Sequence, residues 1–244
     1  MRQVLAISFL FLLSNSGIAQ ELSIGFGLYS EQSSGSSGLD LDSVFVLEDN
    51  RYISGRLGAI HVSFHYKVKP NLKLGLALQY RVSYFDLSAY ALFDHPLGPV
   101  GKGTVVGVDN IEIPITGNLI LNPKARAQVR VIAGITPVFG IVNSKTDYEA
   151  DPTTLDWTQP VADALNAAAS IPSRRHINYQ CGLGASYKRF DLTCSIYGNL
   201  TRNIANDYEI WGQSFGFRRT IRGAQLIFSY KIIDKGRPKD FHKQ

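Results

Sequence analysis

The chain of 244 residues carries 25 Lys and Arg against 20 Asp and Glu, so its formal net charge of +5 is small for its length. The basic residues are scattered and form no concentrated stripe, which argues against nucleic-acid binding. After the N-terminus, no run approaches the ~18 consecutive apolar residues of a membrane helix. Tyr, Phe and Gly are plentiful and only 18% of residues are charged, which argues against an intrinsically disordered chain.

The N-terminal segment, residues 1–19, has the features of a secretory signal peptide. Arg2 supplies the positive end, Val4–Leu13 forms a short apolar run, and Gly17 and Ala19 fit the small-residue rule for cleavage. The run is too short for a spanning helix. We therefore expect the mature chain to begin at about Gln20 and to lie outside the cytoplasm.

Eight segments of the chain alternate apolar residues with polar or small ones at period two, the period at which side chains of a β-strand face opposite sides. Long polar connections and tight turns alternate between them. We therefore predict an antiparallel up-and-down meander in one domain, residues 20–233, followed by a basic tail, residues 234–244. The segments are Leu22–Tyr29, Gly55–Val68, Leu72–Tyr84, the two arms of the hairpin Asp109–Val142, His176–Lys188, Phe190–Leu200 and Ile221–Ile232.

A long connection joins the first segment to the second, the third to the fourth, the fifth to the sixth and the seventh to the eighth. The Ser, Gly, Asp and Asn residues of these four connections are typical of loops. Inside the third connection, Pro160–Ala169 predicts a short helix with Pro160 in its first turn. The connections expected to be loops are Ser30–Ile53, Phe85–Val108, Asn143–Arg175 and Thr201–Thr220.

Alternation alone leaves open whether the apolar faces meet a protein core or lipid. A soluble lipocalin-like barrel would enclose them around a ligand. The segments are long enough to cross a bilayer at a tilt, which takes ~9–11 residues, and Tyr and Phe gather near their ends. These features predict an eight-stranded antiparallel transmembrane β-barrel with short periplasmic turns and long extracellular loops. The expected lipid-facing residues include Ile111, Ile113, Val129, Val131, Leu74 and Leu76.

The long connections carry four candidate interaction residues. Trp157 and Trp211 either anchor a partner, as exposed indoles often do, or pack the connections against each other. Arg174 and Arg218 stand at the outer end, where guanidinium groups either bind lipopolysaccharide phosphates or form a solvated rim. The partners expected are outer-membrane lipids, lipopolysaccharide, and other outer-membrane or periplasmic proteins.

The opposite strand faces carry charged and amide side chains that such a barrel would enclose. An eight-stranded barrel is just wide enough for side chains to fill, and a buried charge must be paired. We therefore expect Glu112 to pair with Arg81 or Arg130 on an adjoining strand. A structural plug and a gated ion path are the two interpretations of this set. The expected lumen residues are Glu112, Arg130, Arg81, Lys73, Gln79, His61 and His65.

His61, Ser63 and His65 share one strand face, and a nucleophile with a base is the pairing that lipid-modifying enzymes need. Neighbours at i and i+2 are ~6.6 Å apart along a strand, which is long for a direct Ser–His hydrogen bond. We therefore predict no catalytic residues and no enzyme, with a lipid-A or phospholipid-modifying enzyme as the alternative.

The two cysteines, Cys181 and Cys194, fall on the same alternation face of neighbouring strands. They either form a cross-strand disulfide in an oxidising compartment or serve as small apolar residues on the lipid side. Two isolated cysteines lack the partners that a metal site requires, so neither a metal nor a cofactor is expected.

The stretch Ile111-Glu112-Ile113-Pro114-Ile115, followed by an apolar hairpin with Gly134 and Gly140, carries a family resemblance. With the signal peptide and the eight segments, it resembles the outer-membrane β-barrel proteins of Bacteroidetes, the PorT-like barrels on the small OmpA-type scaffold. The last strand departs from the usual barrel ending, because Lys231-Ile232-Ile233 and a basic tail replace a final aromatic residue.

The resemblance implies an integral outer-membrane protein of a Gram-negative bacterium and brings no catalytic residues with it. A named member of the family is linked to type IX protein secretion. The expected function is therefore a structural or interaction role, of which an accessory subunit of a secretion, assembly or uptake complex is one form.

Overall fold

The computed structural model describes residues 21–37, 44–49, 56–91, 100–144, 174–200, 204–210 and 213–234, with six further residues at 159, 161–163 and 165–166. The signal peptide, the tail beyond Asp234, Trp157 and Trp211 lie outside the described residues, and so do the side chains of Arg174 and Arg218.

The described residues form eleven strands that join in one sheet. In chain order they are β1 (Glu21–Ser37), β2 (Val44–Asp49), β3 (Arg56–Lys69), β4 (Leu72–Ala91), β5 (Val100–Glu112), β6 (Ile115–Ile120), β7 (Ala127–Ser144), β8 (Arg174–Tyr187), β9 (Phe190–Asn199), β10 (Ile204–Ile210) and β11 (Gln213–Asp234).

These eleven segments make up eight barrel strands, because three barrel strands are each built from two segments. β5 and β6 follow one another between β4 and β7, β2 occupies the place above β3 between β1 and β4, and β10 extends the position of β9 beside β11. Every pairing is antiparallel. The first and last strands pair from Glu21↔Asp234 to Ser37↔Phe217, which closes the barrel. The predicted fold class is confirmed.

The division between β5 and β6 falls at Ile113 and Pro114, the centre of the Ile-x-Ile-Pro-Ile stretch. Pro114 has no N–H to give to the ladder. Its carbonyl oxygen still accepts from the Ala77 amide at 2.9 Å, and the Ile113 amide donates to the Pro137 carbonyl at 3.0 Å. Hydrogen bonds to both neighbouring strands therefore fix the backbone at this break, and the barrel wall, the closed sheet of strands, continues through it.

The exterior of the barrel is apolar and its interior is polar, the inverse of a soluble protein. Leu74 is 53% exposed and Val131 is 40% exposed, while Gln79 and Arg81 are buried at 0% and 2%. Leu76 and Val129 are also exposed, and Ile111 and Ile113 are half-buried. A soluble barrel with its apolar faces inside would show the opposite pattern.

The exposed apolar band matches a bilayer in height. On β7 it runs from Val129 to Ile141. Twelve residues rise ~40 Å along a strand, or ~30 Å along the barrel axis at the ~40° tilt usual for such barrels, which is the thickness of a bilayer's hydrocarbon core. Exposed aromatic rings lie near the short-turn end of the band, where Phe190 contacts Phe228 and Tyr230. This is the exterior of a transmembrane β-barrel.

The expectation that the long connections are loops is wrong for much of their length. β4 and β5 stay paired as far as Ala91↔Val100, and β10 and β11 form a hairpin inside the predicted connection Thr201–Thr220. The period-two signal depends on one face being apolar. Beyond the apolar band the outer face needs no apolar residues, so the signal fades although the backbone ladder continues.

The described residues inside Pro160–Ala169 are helical, as predicted, and Val161, Ala162 and Leu165 are buried. Among the described residues, no helix has the length and apolarity needed to cross a membrane.

Candidate functional site

The lumen of the barrel is filled by polar side chains that cluster at two levels. Each level is built around one arginine, and a band of amides and hydroxyls lies between them. The buried lumen set includes Lys73, Gln79, Arg81, Asn110, Glu112, Asn118, Arg130, Gln180, Asp191, Ser195, Gln225 and Lys231.

Arg81 is the centre of the upper cluster. Its Nε lies 2.6 Å from Glu112 Oε1, and its Nη1 lies 2.6 Å from Glu31 Oε2 and donates to the Tyr197 hydroxyl at 2.8 Å. The Tyr197 hydroxyl in turn donates to Glu31 at 3.1 Å. One guanidinium is therefore held by two carboxylates, and the desolvated cation has partners on three barrel strands.

Two aromatic rings complete the upper cluster. The Arg81 guanidinium lies 5.0 Å from the centre of the Tyr29 ring and 4.9 Å from that of Tyr197, within cation–π range. The Tyr29 hydroxyl donates to the Val82 carbonyl. Gly223 makes room for Tyr197, because a Cβ there would lie 2.3 Å from the Tyr197 Cζ. Rings and ion pairs together close the lumen at this level.

Arg130 is the centre of the lower cluster. It binds Asp191 through both ends of its guanidinium, with Nη1–Oδ1 at 2.5 Å and Nη2–Oδ2 at 2.6 Å. It also donates to Ser186 and Thr193. The facing residue on β8 is Gly184, where a Cβ would lie 2.6 Å from the Arg130 Cζ. The glycine therefore leaves the space that the arginine occupies.

Of the two partners predicted for Glu112, the structure shows Arg81 and not Arg130, and strand register gives the reason. Glu112 faces Val138 on β7, eight residues from Arg130, or ~26 Å along the strand. Arg130 faces Ile120 instead. Glu112 reaches Arg81 on β4, the other neighbour considered from the sequence. Counting outward from the short turn at residues 121–126 was a signal that would have separated the two.

A third ion cluster lies at the short-turn end of the lumen. Lys73 Nζ binds Glu21 Oε1 at 2.5 Å, and Lys231 Nζ lies 3.6 Å from Glu21 Oε2. Sequence reasoning missed Glu21 because it stands at the expected start of the mature chain, and it missed Glu31 because that residue fell in a predicted loop. With these two acids, the three clusters contain four carboxylates and four cations, where the sequence suggested an excess of cations.

Neutral side chains fill the lumen between the two arginines. Gln79 donates to Gln225 at 3.1 Å, while Gln225 and Gln180 each donate to the Ser195 hydroxyl at 3.1 Å. Beside this network is a cavity of about 40 Å³, with room for two or three waters. A second cavity of about 10 Å³ lies toward Glu21.

His61, Ser63 and His65 line the larger cavity from β3. Within the described part of the chain, no hydrogen bond joins either histidine to Ser63, and the Nδ1 atoms of both histidines have no hydrogen-bond partner. The three side chains face the closed lumen and not the apolar exterior. The arrangement offers a place for bound water and shows no nucleophile–base contact.

The described residues contain no group of three or more His, Cys, Asp or Glu side chains placed to hold a metal ion. Cys181 and Cys194 are both free and exposed on the apolar exterior. Cys181 faces Ile196 and Cys194 faces Leu183, so the two cysteines are diagonal neighbours instead of direct partners. The disulfide alternative is not what the structure shows.

Arg174 and Arg218 were expected in loops, and the structure corrects this for the backbone. Arg174 is the first residue of β8 and pairs with Gly140, and Arg218 lies in β11 between Ser36 and Ala205. The cause is again the continuation of the ladder beyond the apolar band.

No protein-family model and no curated protein sequence matches this chain. The crystal structure of Neisserial surface protein A is similar at 8% identity with a TM-score of 0.34, over 84% of this chain and 95% of that chain. Ail of Yersinia pestis, in complex with the heparin analogue sucrose octasulfate, is similar at 9% identity with a TM-score of 0.31, over 85% and 99%. The outer membrane protease OmpT from Escherichia coli is similar at 10% identity with a TM-score of 0.39, over 88% and 97%. At these levels the matches say nothing of activity or partners.

Proposed function

We propose that this protein is a non-conducting, non-enzymatic barrel of the outer membrane that serves as a rigid support for an extracellular interaction surface. The observation that carries the proposal is the lumen, which ion-paired arginines close at two levels. A pore needs an open path, and a lipid hydrolase needs a site that lipid can reach. Within the described residues the ion-paired lumen favours neither role, which supports the proposal.

An ion that crossed the lumen would have to break the pairs of Arg81 with Glu31 and Glu112, and then the pair of Arg130 with Asp191. Separating a buried pair leaves uncompensated charge in a desolvated place, at ~3–5 kcal/mol for each. The cavity between the two levels has a volume of about 40 Å³, with room for only two or three waters. Thermal fluctuation at both levels together would be too rare for steady conduction.

Planar-bilayer recording of the purified protein tests this proposal directly. We expect no steady conductance at any holding potential, whereas a general porin in the same membranes gives the positive control. A stable open state of the wild-type protein would contradict the proposal that the lumen is closed and would support a gated ion path.

The outer-membrane location is supported by the apolar band and by the signal-peptide pattern of residues 1–19. Lipids and lipopolysaccharide of that membrane are the partners we propose for the exterior. A soluble lipocalin-like barrel would stay in solution, while this protein should require detergent and show heat-modifiable gel migration. Fractionation therefore separates the two classes.

The finer proposal is a PorT-like barrel of Bacteroidetes that acts as an accessory subunit of a secretion, assembly or uptake complex. The Ile-x-Ile-Pro-Ile stretch supports this proposal. The stretch contains the break between β5 and β6, where Ile113 and Pro114 are hydrogen-bonded to the neighbouring strands. Mild-detergent pull-down with mass spectrometry, compared between the wild type and a chain lacking residues 145–173, tests it. A partner retained equally by both chains would contradict recognition through that connection.

The enzyme alternative has a direct test as well. Purified protein is incubated with lipid A and with phospholipid, and released fatty acid is measured against a Ser63→Ala variant. We expect no release from either protein. Acyl release by the wild type that Ser63→Ala abolishes would replace our proposal by the lipid hydrolase.

A further inference from the structure

The three short turns of the barrel carry five exposed cations and no carboxylate. The cations are Lys69, Lys124, Arg126, Lys188 and Arg189, which we call the basic turns. No carboxylate of the described residues forms an ion pair with any of them, although Asp234, exposed at the end of β11, attracts Arg189 over a longer distance. In the amino-acid sequence of the four long connections, by contrast, Asp and Glu outnumber Lys and Arg.

The basic turns lie immediately beyond the exposed aromatic rings of the band. Lys188 Nζ is 5.3 Å from the centre of the Tyr187 ring, and Arg189 Nη1 donates to the Tyr230 hydroxyl at 3.3 Å. Such rings gather where hydrocarbon meets head groups. The cations that follow them therefore stand at the depth of the phosphates.

Lys188 also occupies a backbone conformation that lysine rarely adopts. Its φ is 53°, in the left-handed region that two-residue hairpins usually fill with Asn or Gly. A turn without a need for charge would gain stability from either residue. Inside the barrel at the same end, Lys73 and Lys231 share the single carboxylate of Glu21, which adds a further positive charge.

We infer that the basic turns bind the phosphate groups of anionic phospholipids in the leaflet that meets the short-turn end. This inference rests on the proposed membrane location and adds a lipid class to it. Cations near an anionic membrane surface each contribute about five-fold to binding, and salt screens the attraction within a Debye length. The bound lipid should therefore be selected by charge and released by salt.

The test uses the full-length protein folded into vesicles with equal amounts of phosphatidylcholine and phosphatidylglycerol. Folding is read from heat-modifiable migration, and lipids that stay bound after mild-detergent extraction are counted by native mass spectrometry. We expect the wild type to retain phosphatidylglycerol over phosphatidylcholine. The Lys188→Gln/Arg189→Gln variant should lose that preference by roughly ten-fold or more, and raised NaCl should weaken it in the wild type.

The matched control is Arg175→Gln/Arg222→Gln, which removes two exposed cations elsewhere on the wall and should keep the preference. The second variant, Lys124→Gln/Arg126→Gln, tests a different turn if the first fails to fold. Folded wild-type protein without lipid preference, or equal losses in the variants and the control, would overturn the inference and leave the membrane barrel intact. Failure of the wild type to enter vesicles of any composition would overturn the proposed function and this inference with it.

Discussion

Asp191 is the residue on which the lower half of the lumen depends. It holds both ends of the Arg130 guanidinium and also accepts from the Ser186 hydroxyl at 2.6 Å. A buried cation that loses its carboxylate keeps the cost of desolvation without the compensating attraction. The pair should therefore cost much more to break than to replace as a whole.

Replacement of Asp191 by Asn should lower the free energy of unfolding by ~3–5 kcal/mol. The double variant Arg130→Met/Asp191→Leu should lie much closer to the wild type, since it leaves no unpaired charge. Urea titration of vesicle-folded protein measures both. Arg222→Met, which changes an exposed cation of β11 outside the basic turns, is the control and should stay within ~0.5 kcal/mol. Equal losses in the single and double variants would contradict this view of the pair.

Substitution of Val131 tests, by the same measurement of folding free energy, whether the barrel exterior faces lipid. The side chain is 40% exposed in the apolar band on β7, two residues from the short-turn end of the band at Val129. Val131→Arg places a cation against acyl chains and should cost ~1–3 kcal/mol of folding free energy, since the cost rises from ~0–1 kcal/mol at the interface to ~2–4 kcal/mol at the midplane. Val131→Leu is the matched apolar control. Arginine tolerated at this position with wild-type stability in bilayers would count against the membrane exterior.

At the scale of strands, the sequence located all eight barrel strands but not their upper ends. β4 continues to Ala91 and β11 begins at Gln213, well inside the predicted loops. The period-two pattern arises where one face of a strand meets lipid and the other meets the polar lumen. It therefore marks only the part of a strand that lies in the apolar band. Backbone hydrogen bonds need no side-chain pattern, so they extend the barrel wall beyond the apolar band without any alternation of hydropathy in the sequence.

Hydrogen exchange tests the extended wall. The backbone amides of β4 from Phe85 to Ala91 and of β5 from Val100 to Thr104 should exchange slowly, because each strand has the other as partner. The amides of Lys124 and Arg126, exposed in the short turn at residues 121–126, give the fast-exchanging reference in the same molecule. Exchange of the extension at the rate of that turn would mean that the predicted loops were right.

The candidate site could be predicted from the sequence in its composition but not in its pairing. Arg81, Gln79 and Lys73 were placed in the lumen by alternation alone, and they are buried there. Partner choice depended on register, which alternation does not determine, and on acids such as Glu31 that stood outside the patterned segments. Gly184 shows a further limit, because its role is visible only once Arg130 is seen to occupy its space.

At the scale of the whole molecule, the ion clusters of the described lumen are electrically balanced. Four carboxylates and four cations form three clusters, while the cations of the basic turns lie outside the lumen. These clusters therefore carry no net charge that would attract counterions, which agrees with the proposed non-conducting role.

The pairing of Glu21 with Asp234 has a consequence for how the chain reaches the membrane. β11, the strand that closes the barrel, is synthesised after the other ten described strands, and its partner β1 is synthesised before them. Until β11 is present, both edges of the growing sheet lack their hydrogen-bond partners, which lipid does not tolerate. Insertion must therefore wait until β11 has been synthesised. A chain that stops before β11 should not yield a smaller barrel in the membrane.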